Sequence, residues 1–277
     1  MYYPPKFDVQ KAIELGKLVL QAYQRFQDFK HGKPWELQGD YSLVSEITYR
    51  TMMSFDPNDP DAGLTAIDKE MLEEQPVSYS LDSMFGKDIP MGFIATSEDK
   101  KEVFLIFRGT VSLREWLFDA NIKVQAYGQD NWGCVSNGFL TIYNRCRESF
   151  LKNLTELAAT EPQLYICGHS LGGALSLLAL PDVMRSTPFT KPIHYNFGAP
   201  RVGDNDFVMA YNTLPSQQTF RVVNTSDLVT SIPLPAQFPL IPSGNYSHVD
   251  TPVDFTVQKN DLVSNHSMDT YIAALGG

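Results

Sequence analysis

Between Asp8 and Phe29 the apolar residues Ala12, Leu15, Val19, Ala22, Tyr23, Phe26 and Phe29 recur at three-to-four spacing. Asp8, behind Pro4 and Pro5, is placed to cap a first turn, so the spacing predicts an amphipathic N-terminal helix over 8–29 packed on the body. From 54 to 90 the chain is dense in Asp, Pro and Gly and, apart from a helix-like stretch at 67–74, reads as irregular surface connection. Two β-rich runs, Met91–Thr96 and Glu102–Phe107, flank the polar SEDKK segment and predict a hairpin whose second strand runs into Arg108, Gly109 and Thr110. Phe139, Ile142, Tyr143, Cys146, Phe150, Leu154 and Leu157 share one stripe of a helix over 138–160. Gln163–Cys167 is a short apolar strand meeting Gly168, and Ala174–Leu180 is a helix stopped by Pro181. Further strands are predicted at Ile193–Phe197, Thr219–Val223 and Val253–Gln258, with helices near 204–214 and 267–275. Strands alternating with helices imply an α/β fold with a mainly parallel, covered sheet.

Composition narrows the picture. The 277 residues, 43% hydrophobic and 12% aromatic, can build the core of one domain spanning 1–277. A net charge of −10 with no Lys/Arg cluster argues against nucleic acid and anionic membrane surfaces as partners. The longest charge-free run, 228–247, carries prolines 233, 235, 239 and 242, so no transmembrane segment is expected. The first ten residues lack the basic and apolar regions of a secretory signal, which makes a cytoplasmic location the default expectation. Of three cysteines, Cys167 sits in a strand-like run as a small core residue, and Cys134 and Cys146 suggest no disulfide framework. Neither HExxH nor paired-cysteine spacing is present, so neither a metal nor an organic cofactor is expected.

Gly168, His169, Ser170, Leu171 and Gly172 spell GxSxG between a predicted strand and a predicted helix, the context of a nucleophile elbow. The glycines at 168, 172 and 173 allow the close backbone approach that lifts a serine hydroxyl out of a sharp turn. Such a serine needs a base and an orienting carboxylate, in the chain order Ser, Asp/Glu, His. His194 falls inside a predicted strand. His248 precedes the last strand, whereas His266 follows it in a loop before the final helix and is the favoured base. His31 reads as a surface residue and His169 as a neighbour pointing away from the nucleophile. Asp227, just beyond the strand ending at Val223, is the candidate carboxylate, although its alternative is a turn-forming Asx residue. Its rivals are Asp204 and Asp206, explained as helix caps, and Asp250, Asp254 and Asp261, which lie late.

Taken in order, these segments resemble the class 3 lipases, an alpha/beta-hydrolase family, over roughly residues 90–275. The resemblance rests on Arg108–Thr110, Trp116 with Asp119, Gly138 with Phe139, Gly168–Gly173, Phe197–Gly203, Asp227 before Ile232 and Pro233, and His266 with Tyr271. It implies a triad of Ser170, Asp227 and His266, with His248 matching a second, non-catalytic histidine. It also implies an oxyanion hole from the backbone N–H groups of Thr110 and Leu171, and a lid at about 111–123 bearing Leu113, Trp116, Leu117 and Asp119. A fixed surface helix is the alternative for that stripe. The implied activity is hydrolysis of carboxylic esters, foremost a lipase releasing fatty acids from acylglycerols at an oil–water or micelle interface. An esterase of small esters and a phospholipase A1 are the nearest alternatives, and a silent fold binding an acyl ligand or a protein is one from another class. The chain departs from the family at Ser136 and Asn137, where a histidine is frequent, and lacks the signal peptide and disulfides of the secreted fungal members. Acyl preference and oligomeric state are not legible.

Overall fold

The structure, a computed structural model, describes residues 3–51, 87–110, 124–128, 132–214, 218–233, 246–249 and 251–277. Most of the irregular 54–90 connection, its helix-like stretch and the lid at 111–123 lie outside them. Helix α1 spans Val9–Lys30, with the Asp8 carboxylate accepting from the Lys11 amide as its cap. Strand β1 (Tyr41–Arg50) and the hairpin β2 (Asp88–Ser97) and β3 (Glu102–Phe107) follow. A two-stranded ribbon, β4 (Val124–Ala126) and β5 (Cys134–Ser136), leads to α2 (Asn137–Leu157). Then come β6 (Gln163–His169), α3 (Leu171–Ser186), β7 (Ile193–Phe197), α4 (Asn205–Asn212), β8 (Gln218–Asn224) and β9 (Pro252–Phe255). The short helix α5 (Leu262–His266) and α6 (Met268–Leu275) close the chain.

Seven strands form one sheet in the order β1-β2-β3-β6-β7-β8-β9. β1, β2 and β3 pair antiparallel, and from β3 onward every pair is parallel. In β3, Phe104 and Ile106 join the layer of α1 and α6, whereas Leu105 and Phe107 join the layer of α2 and α3. Alternation with period two therefore feeds both cores, and both faces are covered. Register pairs Phe107 with Gly168, His169 with Phe197, and Phe197 with Val222, so the C-terminal ends of the parallel strands line one edge. Ligand sites of open α/β sheets gather at such an edge.

Four sequence expectations are corrected. Helix α3 does not stop at Pro181 but runs through it to Ser186. Proline removes one helical hydrogen bond at a cost of about 3 kcal/mol, and burial of Leu175, Leu178, Leu180 and Val183 exceeds that. The next residue, Asp182, is fixed by the Tyr143 hydroxyl at 2.6 Å and a two-pronged Arg147 contact at 2.6 and 2.9 Å. β1 was not expected. Its pattern is weak because Leu43 and Val44 both face outward beside a register shift, leaving Ile47 and Tyr49 as its inward residues. His266 ends the one-turn helix α5 rather than lying in a loop, and β9 stops at Phe255 instead of Gln258.

His194 is buried in β7, its Nε2 2.9 Å from the Ser176 Oγ and its Nδ1 within 3.3 Å of the Tyr211 and Thr219 hydroxyls. Burial pushes its pKa down to about 3. His248, whose Nε2 donates to the Thr230 carbonyl at 2.7 Å, is pushed to about 3 by burial and by the Arg221 charge. Both titrate below the ordinary imidazole value of 6.5. The unfolded chain therefore holds the extra protons between pH 6.5 and about 3. Stability is full above that window and falls through it as pH drops, each histidine adding a slope of about 1.4 kcal/mol per pH unit. In urea unfolding across this range, His194→Gln should remove one such slope.

Candidate active site

Ser170 lies between β6 and α3 at φ 58° and ψ −126°, a conformation that costs a non-glycine residue about 1–3 kcal/mol. The turn is this sharp because Gly168 and Gly172 have no side chain. A Cβ on Gly168 would enter the Gly172 backbone, and one on Gly172 would lie 2.6 Å from the Arg108 carbonyl carbon. The Ser170 amide donates to the Phe197 carbonyl at 2.9 Å, tying the elbow to β7. The Ser170 side chain is fully buried, and its Oγ has no hydrogen-bond partner among the described residues.

Asp227 follows β8 and caps a single 3-10 turn, Leu228–Ser231. One carboxylate oxygen accepts from the Val229 amide at 2.9 Å; the other accepts from the Tyr271 hydroxyl and from His266 Nδ1, each at 2.6 Å. Three donors thus satisfy this buried carboxyl. The turn-forming reading of Asp227 and the orienting reading thus describe the same side chain. Burial, and after it the Asp227 charge, raises the Tyr271 pKa well above the ordinary value, so Tyr271 stays a donor.

Because His266 Nδ1 donates to Asp227, its Nε2 carries the bare lone pair. That atom too is buried without a partner among the described residues. Gly198, one residue beyond the carbonyl that holds Ser170, shows how close these groups lie. Its φ is +57°, and a Cβ there would sit 3.0 Å from Asp227 Oδ2, His266 Cε1 and the Tyr271 hydroxyl. Buried polar atoms without partners are rare in folded proteins and call for an explanation. Here the two such atoms are a serine hydroxyl and a ring nitrogen, the group types of a candidate nucleophile and base.

Two groups of backbone donors border Ser170. Leu171 opens α3, where the first amides have no intrahelical acceptor and the helix dipole is positive. Gly109 and Thr110 continue β3 over the elbow, and a Cβ on Gly109 would lie 2.8 Å from both the His169 carbonyl and the Ser170 Cβ. Arg108, fully buried, fixes this strand end by donating to the Pro90 and Gly109 carbonyls at 2.8 and 2.7 Å, with its guanidinium 3.5 Å from the centre of the Phe26 ring.

The His169 ring contacts the Tyr23 hydroxyl and the His266 backbone carbonyl. Asp204 and Asp261 cap α4 and α5, Asp206 lies in the first turn of α4, Asp254 is on β9, and His31 is exposed. Asp250 and the lid residues Leu113, Trp116, Leu117 and Asp119 lie outside the described residues. Tyr23 and Asn224 were not anticipated at the site, and Gly198, inside the Phe197–Gly203 segment of the resemblance, was given no role there. Among the described residues no group of three or more His, Cys, Asp or Glu could hold a metal, and no helix is long and apolar enough to cross a membrane.

The sequence pattern of the family described as Lipase (class 3) matches residues 104–237. A secreted mono- and diacylglycerol lipase of Penicillium cyclopium is 32% identical over 174 residues, covering 62% of this chain and 55% of that protein. A chloroplastic/mitochondrial phospholipase A1 of Oryza sativa subsp. indica is 30% identical over 241 residues, covering 70% and 54%. The chain thus spans about half the length of the curated relatives it matches. A Rhizomucor miehei lipase propeptide complex aligns with a TM-score of 0.64 at 21% identity over 91% of this chain and 70% of that one. That likeness, with the mostly parallel sheet, establishes the alpha/beta-hydrolase fold. The cytoplasmic expectation is overturned, because the Penicillium relative is a secreted enzyme. Lack of a leader-like stretch does not place a chain.

Gly198→Ala should cost about 1–3 kcal/mol for its positive φ and push Asp227 from His266. Urea unfolding and the proton resonance of the His266 Nδ1–H check both effects.

Proposed function

The chain belongs to the class 3 lipase family, and we propose that it releases fatty acids from acylglycerols through an acyl-enzyme on Ser170. The observation that carries this reading is the pair of buried, unpartnered atoms, Ser170 Oγ and His266 Nε2, with Asp227 held behind the ring. Ser170 Oγ attacks the ester carbonyl while His266 Nε2 takes its proton, and Asp227 fixes the ring and stabilises the imidazolium. The backbone N–H groups of Thr110 and Leu171 meet the oxygen that becomes negative, a contact worth about 3 kcal/mol per donor in such sites. His266 then passes its proton to the leaving alkoxide. Water, deprotonated by His266, attacks the acyl-enzyme and frees the acid.

A lipid substrate agrees with the mono- and diacylglycerol lipase of Penicillium cyclopium and with the exposed aliphatic residues Leu228, Leu262 and Val263, which flank Asp227 and His266. The lid role falls to 111–123, which lies outside the described residues, within one domain over 1–277 that acts at an oil–water or micelle surface. By the same likeness the enzyme works outside the cytoplasm. Phospholipase A1 activity is the second reading, favoured by the Oryza relative, which aligns over more residues. The net charge of −10 favours neutral over anionic interfaces.

Intact mass after incubation with a small fluorophosphonate should show one adduct on the parent and none on Ser170→Ala; an unlabelled parent, even with detergent, sinks the hydrolase reading. Asp227→Asn should lower kcat on a soluble ester by about 10³–10⁴-fold. A rate that rises smoothly through the micelle concentration would argue against the lid.

A further inference from the structure

Helix α1 is far from the elbow in sequence, yet the Tyr23 hydroxyl lies 2.8 Å from His169 Nδ1, and His169 Nε2 lies 2.7 Å from the His266 backbone carbonyl. We propose that Tyr23 and His169 form a hydrogen-bonded strut that positions His266 for proton transfer, with Tyr23 donating to His169 Nδ1 and holding the ring against the His266 carbonyl. The inference rests on the hydrolase reading above and adds two positioning residues to it.

The direction of the strut follows from chemistry. A carbonyl only accepts, so His169 carries its proton on Nε2 and donates it to His266. Burial, and next the proximity of His266, holds the His169 pKa well below the ordinary value, so the ring is neutral and its Nδ1 is a bare acceptor. Tyr23 must therefore donate. Without that hydroxyl the buried Nδ1 lone pair loses the donor that holds the ring in place. The other tautomer would turn a lone pair toward the His266 carbonyl, setting two acceptors against each other at a hydrogen-bonding distance.

His266 needs such a hold. Helix α5 is only five residues long, too short for stability of its own, and its last carbonyls lack intrahelical donors. Two consecutive carbonyls are captured from outside: the Asn224 amide donates to Asn265 at 3.0 Å, and His169 donates to His266. The His169 and His266 rings also pack with centroids 4.5 Å apart and planes tilted by 34°. A neutral neighbour there leaves room for the positive charge His266 takes on during turnover. Tyr23 reaches the opposite flank as well, its hydroxyl lying against Gly109 at the strand end that precedes Thr110.

Tyr23→Phe removes one oxygen and keeps the ring. Losing one oriented hydrogen bond predicts kcat on a soluble short-chain ester and the phosphonate labelling rate of Ser170 to fall about tenfold, with KM within about twofold of the parent. In the parent, the ¹⁵N resonances of His169 should report a proton on Nε2, and Tyr23→Phe should shift that signature. A parent that is labelled while Tyr23→Phe is labelled equally fast overturns the strut but not the hydrolase reading. So does a parent whose His169 carries its proton on Nδ1, a result independent of how the variant folds. An unlabelled parent overturns the hydrolase reading and, with it, the role assigned to Tyr23.

Discussion

A serine at φ 58° is a conformation that local preference resists, and much of the molecule is arranged to hold it there. The turn exists because the Gly172 backbone sits where a Gly168 side chain would be, and because Gly172 itself rides against the Phe107 and Arg108 carbonyls. That second approach joins the elbow to the end of β3, which delivers Gly109 and Thr110 alongside Ser170. The steric condition that strains Ser170 thus also brings up the strand end bearing one group of candidate oxyanion donors. Register then does the rest: with Phe107 opposite Gly168 and His169 opposite Phe197, all the strands end at one level. A one-residue slip would turn each side chain to the opposite face.

The charged part of the site is built on a different economy. Asp227 is buried and therefore costly unless fully partnered, and it has an amide, a phenol and an imidazole as donors. Burial, and next the proximity of His266, keeps the adjacent His169 ring neutral. Asp227 thus takes its hydrogen bonds from an amide, a phenol and an imidazole, and His169 adds no positive charge beside His266.

What could be read from the sequence follows from how local each signal is. The elbow was legible because strand, glycine turn and helix occupy consecutive residues, and α2 because its stripe is uninterrupted over five turns. Asp227 and His266 were legible as a pair through chain order and their place after strands, and the fold brings them together at 2.6 Å. β1 was not, since an edge strand with outward Leu43 and Val44 lacks the alternation that burial on one face imposes. Pro181 misled for the opposite reason: propensity gives an average over helices with exposed faces, whereas α3 is buried over most of its length. The role of Gly198 was not legible even though it lies in the Phe197–Gly203 segment, because the three groups it makes room for come from the turn after β8, from α5 and from α6.

Tyr23 belongs to the same class. In the sequence it is one more apolar position on the stripe of an amphipathic helix, and the stripe is real, since Ala22 and Phe26 on either side are fully buried. Yet a stripe built only for packing would be served as well by phenylalanine. The hydroxyl finds its acceptor 146 residues downstream, on a ring that in turn holds a carbonyl 97 residues further on. Helical periodicity reports which face is buried and is silent on what a polar tip meets inside that face. A tyrosine on an otherwise hydrocarbon stripe is therefore the position at which a packing element can also act as a positioning one, and here the partner it reaches lies against His266.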